Sequence, residues 1–497
     1  MEAGKEEFLG ILGKLYLAFL LAVLPLYVGE GYYRLGDTKY FLFRNVSVLC
    51  LGIFIAVALL SGLVKLFRGT FSLQRMIQNP VACLVCAYGI CVLISAMASP
   101  YGRTAWLGYD EWYMGALTQC LLVGIYFVAL RYGKKAGFVC ILGGGAFFMV
   151  TAIGLLQKMG IDPLGLLNGY SAQDWGFSHM LSTLGNNNWL CGYYSVMLAW
   201  MMNVYLLAKK RWVKVPLFIG NVAAMVLLCV QGSDGGLLIL AACFLISLTL
   251  AYGEGEDSGV WFEKILALFA GMSVFLFGWG RLAAFNKTAE TMFRDGSSRV
   301  LLLWKGWIVA AIAVLCMLVV HRRLSEDKAG RLRKGMVWCG WIGAMAAVCF
   351  FVYKLSGTPF AEWGNYRGTL WQRAWTGFWK GNLQEKLIGA GPDCFALYLG
   401  ETVSGGTVLF QTGHFADAVF TNAHNEWLTQ LVNLGILGVV SYAGIFVGAF
   451  RRYRGIPLAM LLLGMYGVHS LVSFQQVLNA PFFFLMLGMC EEIKSRS

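Results

Sequence analysis

The sequence predicts an all-α, polytopic membrane protein with about 14 transmembrane helices and one long extracytoplasmic loop that contains short helices of its own. Three observations carry this expectation. The 497-residue chain is 58% hydrophobic and 13% charged, where soluble domains average roughly 45–50% and about 25%. Its apolar residues gather in runs of the roughly 20 residues needed to cross a hydrocarbon core about 30 Å thick. Its net charge of +13, from 39 Lys and Arg against 26 Asp and Glu, sits mainly between those runs. Such a charge bears on membrane orientation and not on nucleic acid. The composition excludes intrinsic disorder and most soluble folds.

The runs lie near 8–28, 42–66, 81–98, 116–130, 136–156, 189–208, 216–230, 236–251, 261–279, 301–320, 336–355, 427–450, 457–472 and 478–490. The first is too long for the apolar core of a signal peptide and lacks a small-residue cleavage site, so it reads as a retained signal-anchor helix. The connections alternate in basicity. One set holds Lys65, Arg68 and Arg75; Arg131, Lys134 and Lys135; Lys209, Lys210, Arg211 and Lys214; the stretch from Arg322 to Lys334; Arg451, Arg452 and Arg454; and Lys494 and Arg496. With Lys5, Lys14 and Lys264, that side carries about 24 of the 39 basic residues, which predicts that both termini are cytoplasmic. The acidic link at Glu254, Glu256 and Asp257 is an exception of little weight, because acidic residues hardly affect orientation. The chain divides into 1–355 with transmembrane helices 1–11, a long extracytoplasmic loop over 356–426, and 427–497 with helices 12–14 and a cytoplasmic tail.

Several chemistries leave no trace. Cys83 and Cys86 form a C-x-x-C inside an apolar run, where a cysteine packs as a small hydrophobe, and no second pair completes a zinc site. No Walker A loop occurs, and no Asp-x-Asp that would hold a metal against a nucleotide sugar. No internal repeat of the inverted-transporter kind is visible.

The richest polar string is Asn422-Ala423-His424-Asn425-Glu426-Trp427, where the long loop meets a membrane run. Polar groups at that depth need partners. His424 and Asn425 read either as helix caps beside a headgroup anchor, Trp427, or as site residues. Upstream, Arg367 opens an expected loop helix over 370–380, with Trp371, Trp375 and Phe378 on one stripe. A guanidinium fork suits phosphate oxygens; an ordinary loop arginine is the plain alternative. Asn186, Ser233 in the turn Gln231-Gly232-Ser233-Asp234-Gly235, and Arg294 and Arg299 fall on the same outer side. A cap or a tight turn explains each alone. Basic groups are scarce outside, so Arg103, Arg281, Arg294, Arg299, Arg367 and Arg373 are candidates to bind an anionic substrate.

The ordered set Gly185-Asn186, Ser233-x-Gly235-Gly236, Arg367-x-x-x-Trp371, Gly389-x-Gly391, His424-Asn425-Glu426-x-Leu428 and Gly435-x-x-Gly438 resembles the O-antigen ligase/O-antigen polymerase superfamily. The Gly-x-Gly to His-Asn block is its specific part. The resemblance implies a GT-C-like membrane glycosyltransferase of the bacterial cytoplasmic membrane. Its donor would be an undecaprenyl-diphosphate-linked glycan on the outer face, and its acceptor a glycan, lipid or protein. It implies no cofactor, no metal and no nucleic-acid partner. His424 would be the base or acceptor-orienting group, and Arg367 the contact to the donor diphosphate. Arg299, Arg294, Asn425, Glu426, Asn186, Ser233 and Trp371 would bind substrate. An ordinary imidazole pKa near 6.5 suits such a base. Trp363, Trp371 and Trp375 would either stack on sugars or anchor in headgroups. One departure stands out: many members carry Arg after the serine of the Ser-x-Gly turn, and this chain has Asp234. The competing class is a lipid-linked oligosaccharide flippase, which should carry charges along a path inside its helices.

Overall fold

The computed structural model describes residues 2–67, 79–133, 137–171, 174–252, 256–285, 303–408 and 418–494. Thirteen of the fourteen apolar runs fall each on its own helix, and the first continues from the helix Glu2–Ala18 through a π-helical segment (Phe19–Val23) into a short helical turn (Leu24–Leu26). The first seven are α1 (Glu2–Ala18), α2 (Leu35–Phe67), α3 (Pro80–Ala98), α4 (Ala116–Tyr132), α5 (Gly137–Lys158), α6 (Asn187–Leu207) and α7 (Arg211–Val230). Then come α8 (Asp234–Leu250), α9 (Glu256–Phe285), α10 (Trp304–Arg323) and α11 (Glu326–Ser356). The long loop contributes α12 (Trp363–Lys380), α13 (Leu383–Ile388) and α14 (Phe395–Thr402). The last three are α15 (Glu426–Tyr453), α16 (Pro457–Val472) and α17 (Ala480–Lys494). The sole described sheet is a hairpin, β1 (Met180–Leu181) against β2 (Gly185–Asn186). Among the described residues, ten helices are long and apolar enough to cross a membrane, and α4, α8, α16 and α17 are shorter apolar helices.

The helix starts follow local chemistry. Asn79 accepts bonds from the amides of Val81 and Ala82, and Pro80 stands at the first helical position of α3, where its missing N–H costs nothing. Asn186, Ser233 and Asn425 cap α6, α8 and α15 in the same way. At the centre stands α6, buried on nearly every face and packed against α16 and α17. It is the least apolar of the ten long helices. It places Tyr193, Tyr194 and Trp200 in the interior, where the hydroxyl of Tyr194 meets Thr151 at 2.5 Å. At the periphery, α10 and α11 expose most of their length, including Val309, Ile312, Trp338, Ile342 and Met345, as lipid-facing helices do.

One run differs from its expectation. The span over 427–450 is not a continuous helix: Gly435 breaks α15 with φ 64° and ψ −167°. The break frees backbone carbonyls that water cannot satisfy inside lipid. The loop segment Gly389-Ala390-Gly391 satisfies them. Ala390 N–H donates to Val432 O at 3.0 Å, and Gly391 N–H donates to Asn433 O at 2.9 Å. Ser95 of α3 adds a hydroxyl to the Asn433 carbonyl at 3.0 Å, and Ser99 binds the Ala390 carbonyl at 2.6 Å. The two glycines meet at the crossing. A Cβ on Gly389 (φ 79°) would stand 2.2 Å from Asn433 O, and one on Gly435 would stand 2.6 Å from Gly389 N.

Gly389→Ala and Gly435→Ala combine a left-handed backbone with a backbone clash, so each should cost about 3 kcal/mol or more. Gly335→Ala, whose Cβ meets nothing within 4 Å in α11, is the control. Thermal unfolding in detergent should place the first two well below the wild type and leave the third unchanged or raised.

Candidate functional site

The site lies where the loop over 356–426 returns to the bundle. Asn422 turns the chain by accepting the His424 amide at 3.0 Å, and His424 itself takes a left-handed φ of 47°. That turn is braced on three sides. The indole N–H of Trp371 in α12 donates to the Ala423 carbonyl at 3.0 Å. The Asn425 amide donates to Leu471 O at 3.0 Å, and the Trp427 indole donates to Ser470 at 2.9 Å, both on α16. Thr429 accepts the Ala423 amide at 3.0 Å. The His424 ring stands edge-on to Phe474 at 5.1 Å, and its Nδ1 is buried without a hydrogen-bond partner.

Arg367 supplies the charge beside it. Its first helical turn is distorted by positive φ at Gly364 (58°) and Tyr366 (65°), so regular right-handed geometry in α12 begins only after Tyr366. Among the described residues, the guanidinium makes no salt bridge or hydrogen bond. Burial lowers its pKa, opposed by the charge of Asp234. In turn, burial and the nearby Arg367 charge push His424 down to about 3. The imidazole is therefore neutral across the physiological range, and the ordinary value near 6.5 expected for a base does not hold in this setting. The floor of the site is formed by the capped starts of α6 and α8. Ser233 donates to the Asn188 side chain at 2.9 Å, and Asn188 N–H donates to Asn186 at 2.8 Å. Helix N-termini carry partial positive charge that favours an anion.

Beneath the His424 turn lies a cavity of about 30 Å³, lined by Asp393, Thr421, Asn422, Glu426, Thr429, Gln430, Asn433 and Gln475 and by the apolar Trp112, Met114, Pro392, Leu434 and Phe474, among others. It has room for about one water-sized group. Asp393, left-handed at φ 60°, accepts the amides of Tyr109 at 2.7 Å and Met114 at 2.9 Å through one oxygen. Burial lifts its pKa to about 7 against those two bonds. Glu426 is 1% exposed and accepts the hydroxyls of Tyr442 and, at 3.2 Å, Tyr466. A buried amide network continues from there. Gln475 donates to Tyr442 at 3.2 Å, Gln430 donates to Gln475 at 3.1 Å and to Tyr88 at 3.2 Å, and Gln119 donates to Gln475 at 3.0 Å.

The expected site residues thus separate. His424, Arg367, Trp371, Asn425, Asn186 and Ser233 gather at one end of the bundle. Trp371, Asn425, Asn186 and Ser233 are committed to braces and caps. Glu426 points into the cavity and not at Arg367. The expected loop helix starts at Trp363 and not at 370, and its regular right-handed geometry opens at Arg367. Asp234, set aside as a departure, is an electrostatic partner of Arg367. Arg294 and Arg299 lie outside the described residues. Arg373 ties its loop by donating to the carbonyls of Gly405, Gly406 and Val408, and Arg103 pairs with Asp110 at 3.8 Å. The sequence did not single out Asp393 or His469. His469 is 1% exposed in α16, where it meets the Asn188 backbone and feels the charge of Arg367.

Fold and site define a multi-pass membrane protein with a braced histidine and a half-buried arginine at one end of its helix bundle. No protein-family model matches the chain, and no curated protein matches it.

The His424 environment has a consequence for stability. Its folded pKa of about 3 lies below the unfolded value of about 6.5, so the unfolded chain binds the extra proton in that window. Stability from this group is complete above pH 6.5 and is lost as pH falls toward 3, by about 1.4 kcal/mol per unit. Thermal unfolding of wild type and His424→Gln between pH 7 and pH 5 checks this: the variant should show the smaller loss, and equal losses would sink it.

Proposed function

We propose that this chain is a glycosyltransferase of the O-antigen ligase kind. It would transfer or polymerise glycan from an undecaprenyl-diphosphate-linked donor on the outer face of the bacterial cytoplasmic membrane. The proposal takes all fourteen apolar helices as spans in a GT-C-like arrangement, with both termini cytoplasmic. The observation that carries it is the meeting of a half-buried Arg367, without an ion pair among the described residues, and an imidazole with a free ring nitrogen.

In this mechanism the acceptor hydroxyl oxygen attacks the anomeric carbon. The bond from that carbon to the phosphate oxygen breaks, and undecaprenyl diphosphate leaves with the electron pair. Arg367 stabilises the charge that builds on the leaving oxygen, in a setting where a fixed donor acts more strongly than in water. Direct attack inverts the anomeric centre. The neutral His424 accepts the hydrogen bond of the acceptor hydroxyl and takes its proton as the new bond forms. A bound diphosphate also offsets the Arg367 charge, one of the two causes that depress the imidazole, and so makes it a better proton acceptor at the moment it is needed. Asp234 keeps Arg367 charged while the site is empty. Trp371 acts by fixing the turn that carries His424, not by stacking on sugar.

The flippase alternative draws on the buried Glu426 and amide network. The gathering of His424 and Arg367 at one end of the bundle, and not along a path through it, favours the transferase.

His424→Ala or Arg367→Ala should abolish transfer, by at least about 100-fold in rate, while the protein still inserts and unfolds at a temperature close to that of wild type. The assay is purified protein with lipid-diphosphate glycan, scored for glycosidic product and released undecaprenyl diphosphate. Full product formation by both variants would remove the site assignment.

A further inference from the structure

The four tryptophans of α12 are of two kinds. Trp363 and Trp371 commit their indole N–H groups inside the protein, to the carbonyls of Leu355 and Thr358 and to that of Ala423. Trp375 and Trp379 are 52% and 57% exposed and stand one helical turn apart, with ring centroids at 5.7 Å. The opposite side of α12 buries Leu370, Ala374 and Phe378, so the exposed pair forms a second apolar face that folding does not use. The surface continues into α13. Leu383 and Leu387 are 73% and 40% exposed, and their spacing puts them on one helix face with Lys386. The Lys386 ammonium lies 5.6 Å from the centre of the Trp379 ring, which joins the two helices into one surface. Exposed apolar patches of this kind mark an interaction with protein or membrane.

The depth of this surface follows from α15. Leu387 packs directly on the helix break: a Cβ on Gly435 would stand 2.6 Å from the Leu387 carbonyl carbon and oxygen. From Ile436 to Tyr453, beside the basic residues Arg451, Arg452 and Arg454, α15 rises about 27 Å at about 1.5 Å per residue. A hydrocarbon core is about 30 Å thick, so with Arg451 and Arg452 at one boundary, Gly435 and Leu387 lie at the other. Ile436, Leu437 and Val440, next to the break, are exposed as lipid-facing residues are. We propose that Trp375, Trp379, Leu383 and Leu387 form a foot that rests in the membrane interface, its occupant the lipid of the same bilayer that α15 crosses. Tryptophan suits that level, because its ring is apolar and its N–H finds water and headgroup oxygens. Leu383 and Leu387 enter the upper acyl region, while Lys386 keeps its ammonium among the phosphates. A sugar platform would set converging polar groups beside its rings; aliphatic Leu383 and Leu387 continue this one. The foot holds α13 at the height where Gly389-Ala390-Gly391 meets the break in α15. It requires a membrane protein and stands whether or not the chain is a glycosyltransferase.

The test uses full-length protein in nanodiscs of phosphatidylethanolamine and phosphatidylglycerol. The photo-crosslinker p-benzoylphenylalanine is placed at Trp379, at Leu383 or, as the lipid-facing reference, at Val440. All three side chains are exposed, so these variants should unfold in detergent close to the wild-type temperature. After irradiation the products are identified by intact-protein mass spectrometry. The expected result is phospholipid adducts at Trp379 and Leu383, in yields within about threefold of that at Val440. Adducts at Val440 with none at Trp379 and Leu383, as a sugar platform or a bare solvent face would give, overturn the proposal. So does a crosslink between two copies of the chain as the main product. A second measurement follows hydrogen exchange in the same nanodiscs. The double variant Trp375→Gln, Trp379→Gln should exchange the 383–391 amides at least about threefold faster than wild type, and unchanged exchange would remove the foot's role in holding α13.

Discussion

Everything at the candidate site depends on one backbone exchange: Gly389-Ala390-Gly391 lying across the break in α15. Lipid offers no water to a broken helix, so the carbonyls freed at Gly435 must be met by protein. The loop segment meets them with two amide bonds, and only glycine allows the chains to come that close. The geometry of the loop follows. Asp393 is carried against the amides of Tyr109 and Met114, α13 is laid along α15, and α12 is brought to where Trp371 reaches the Ala423 carbonyl. A long polar loop is thus docked on a membrane helix by the hydrogen-bonding demand of that helix.

The electrostatics rest on burial more than on pairing. Arg367 and His424 lie close enough that the charge of one bears on the other, and both are drawn away from water. An arginine stays protonated in such a place, while a histidine gives up its proton. The result is one fixed positive charge next to one neutral acceptor. Asp234 tempers the charge without closing on it as a salt bridge among the described residues. An anion arriving at Arg367 would therefore not have to displace a tight partner.

The fold was legible in the sequence to the extent that it rests on hydropathy and length. Runs such as 189–208 and 301–320 became helices within a few residues of their expected ends, because lipid leaves an apolar stretch no other spanning structure. The break at Gly435 was not legible: in Gly435-x-x-Gly438 a glycine that breaks a helix looks the same as one that lets two helices touch. At the site, His424 and Arg367 showed themselves as polar residues at a membrane boundary. Trp371 showed as an aromatic on a stripe, which does not distinguish a stacking face from an indole N–H bonded to a carbonyl 52 residues away. Asp234 read as a lost arginine because its relation to Arg367 is spatial. His469 was hidden inside an apolar run, and Asp393 inside a glycine-rich turn.

The central position of α6 has a consequence for how the protein is made. Helices leave the insertion machinery in chain order, and α6 is the least apolar of the ten long ones, with tyrosines on several faces. Its principal neighbour, α16, is synthesised some 250 residues later. During that interval Tyr193, Tyr194 and Ser195 have only the earlier helices, or lipid, for company. The nascent bundle must keep a vacancy beside α6 until the C-terminal helices arrive. A ribosome that stops short of them leaves a membrane intermediate with its most polar span unshielded, the kind of defect that membrane quality control can recognise.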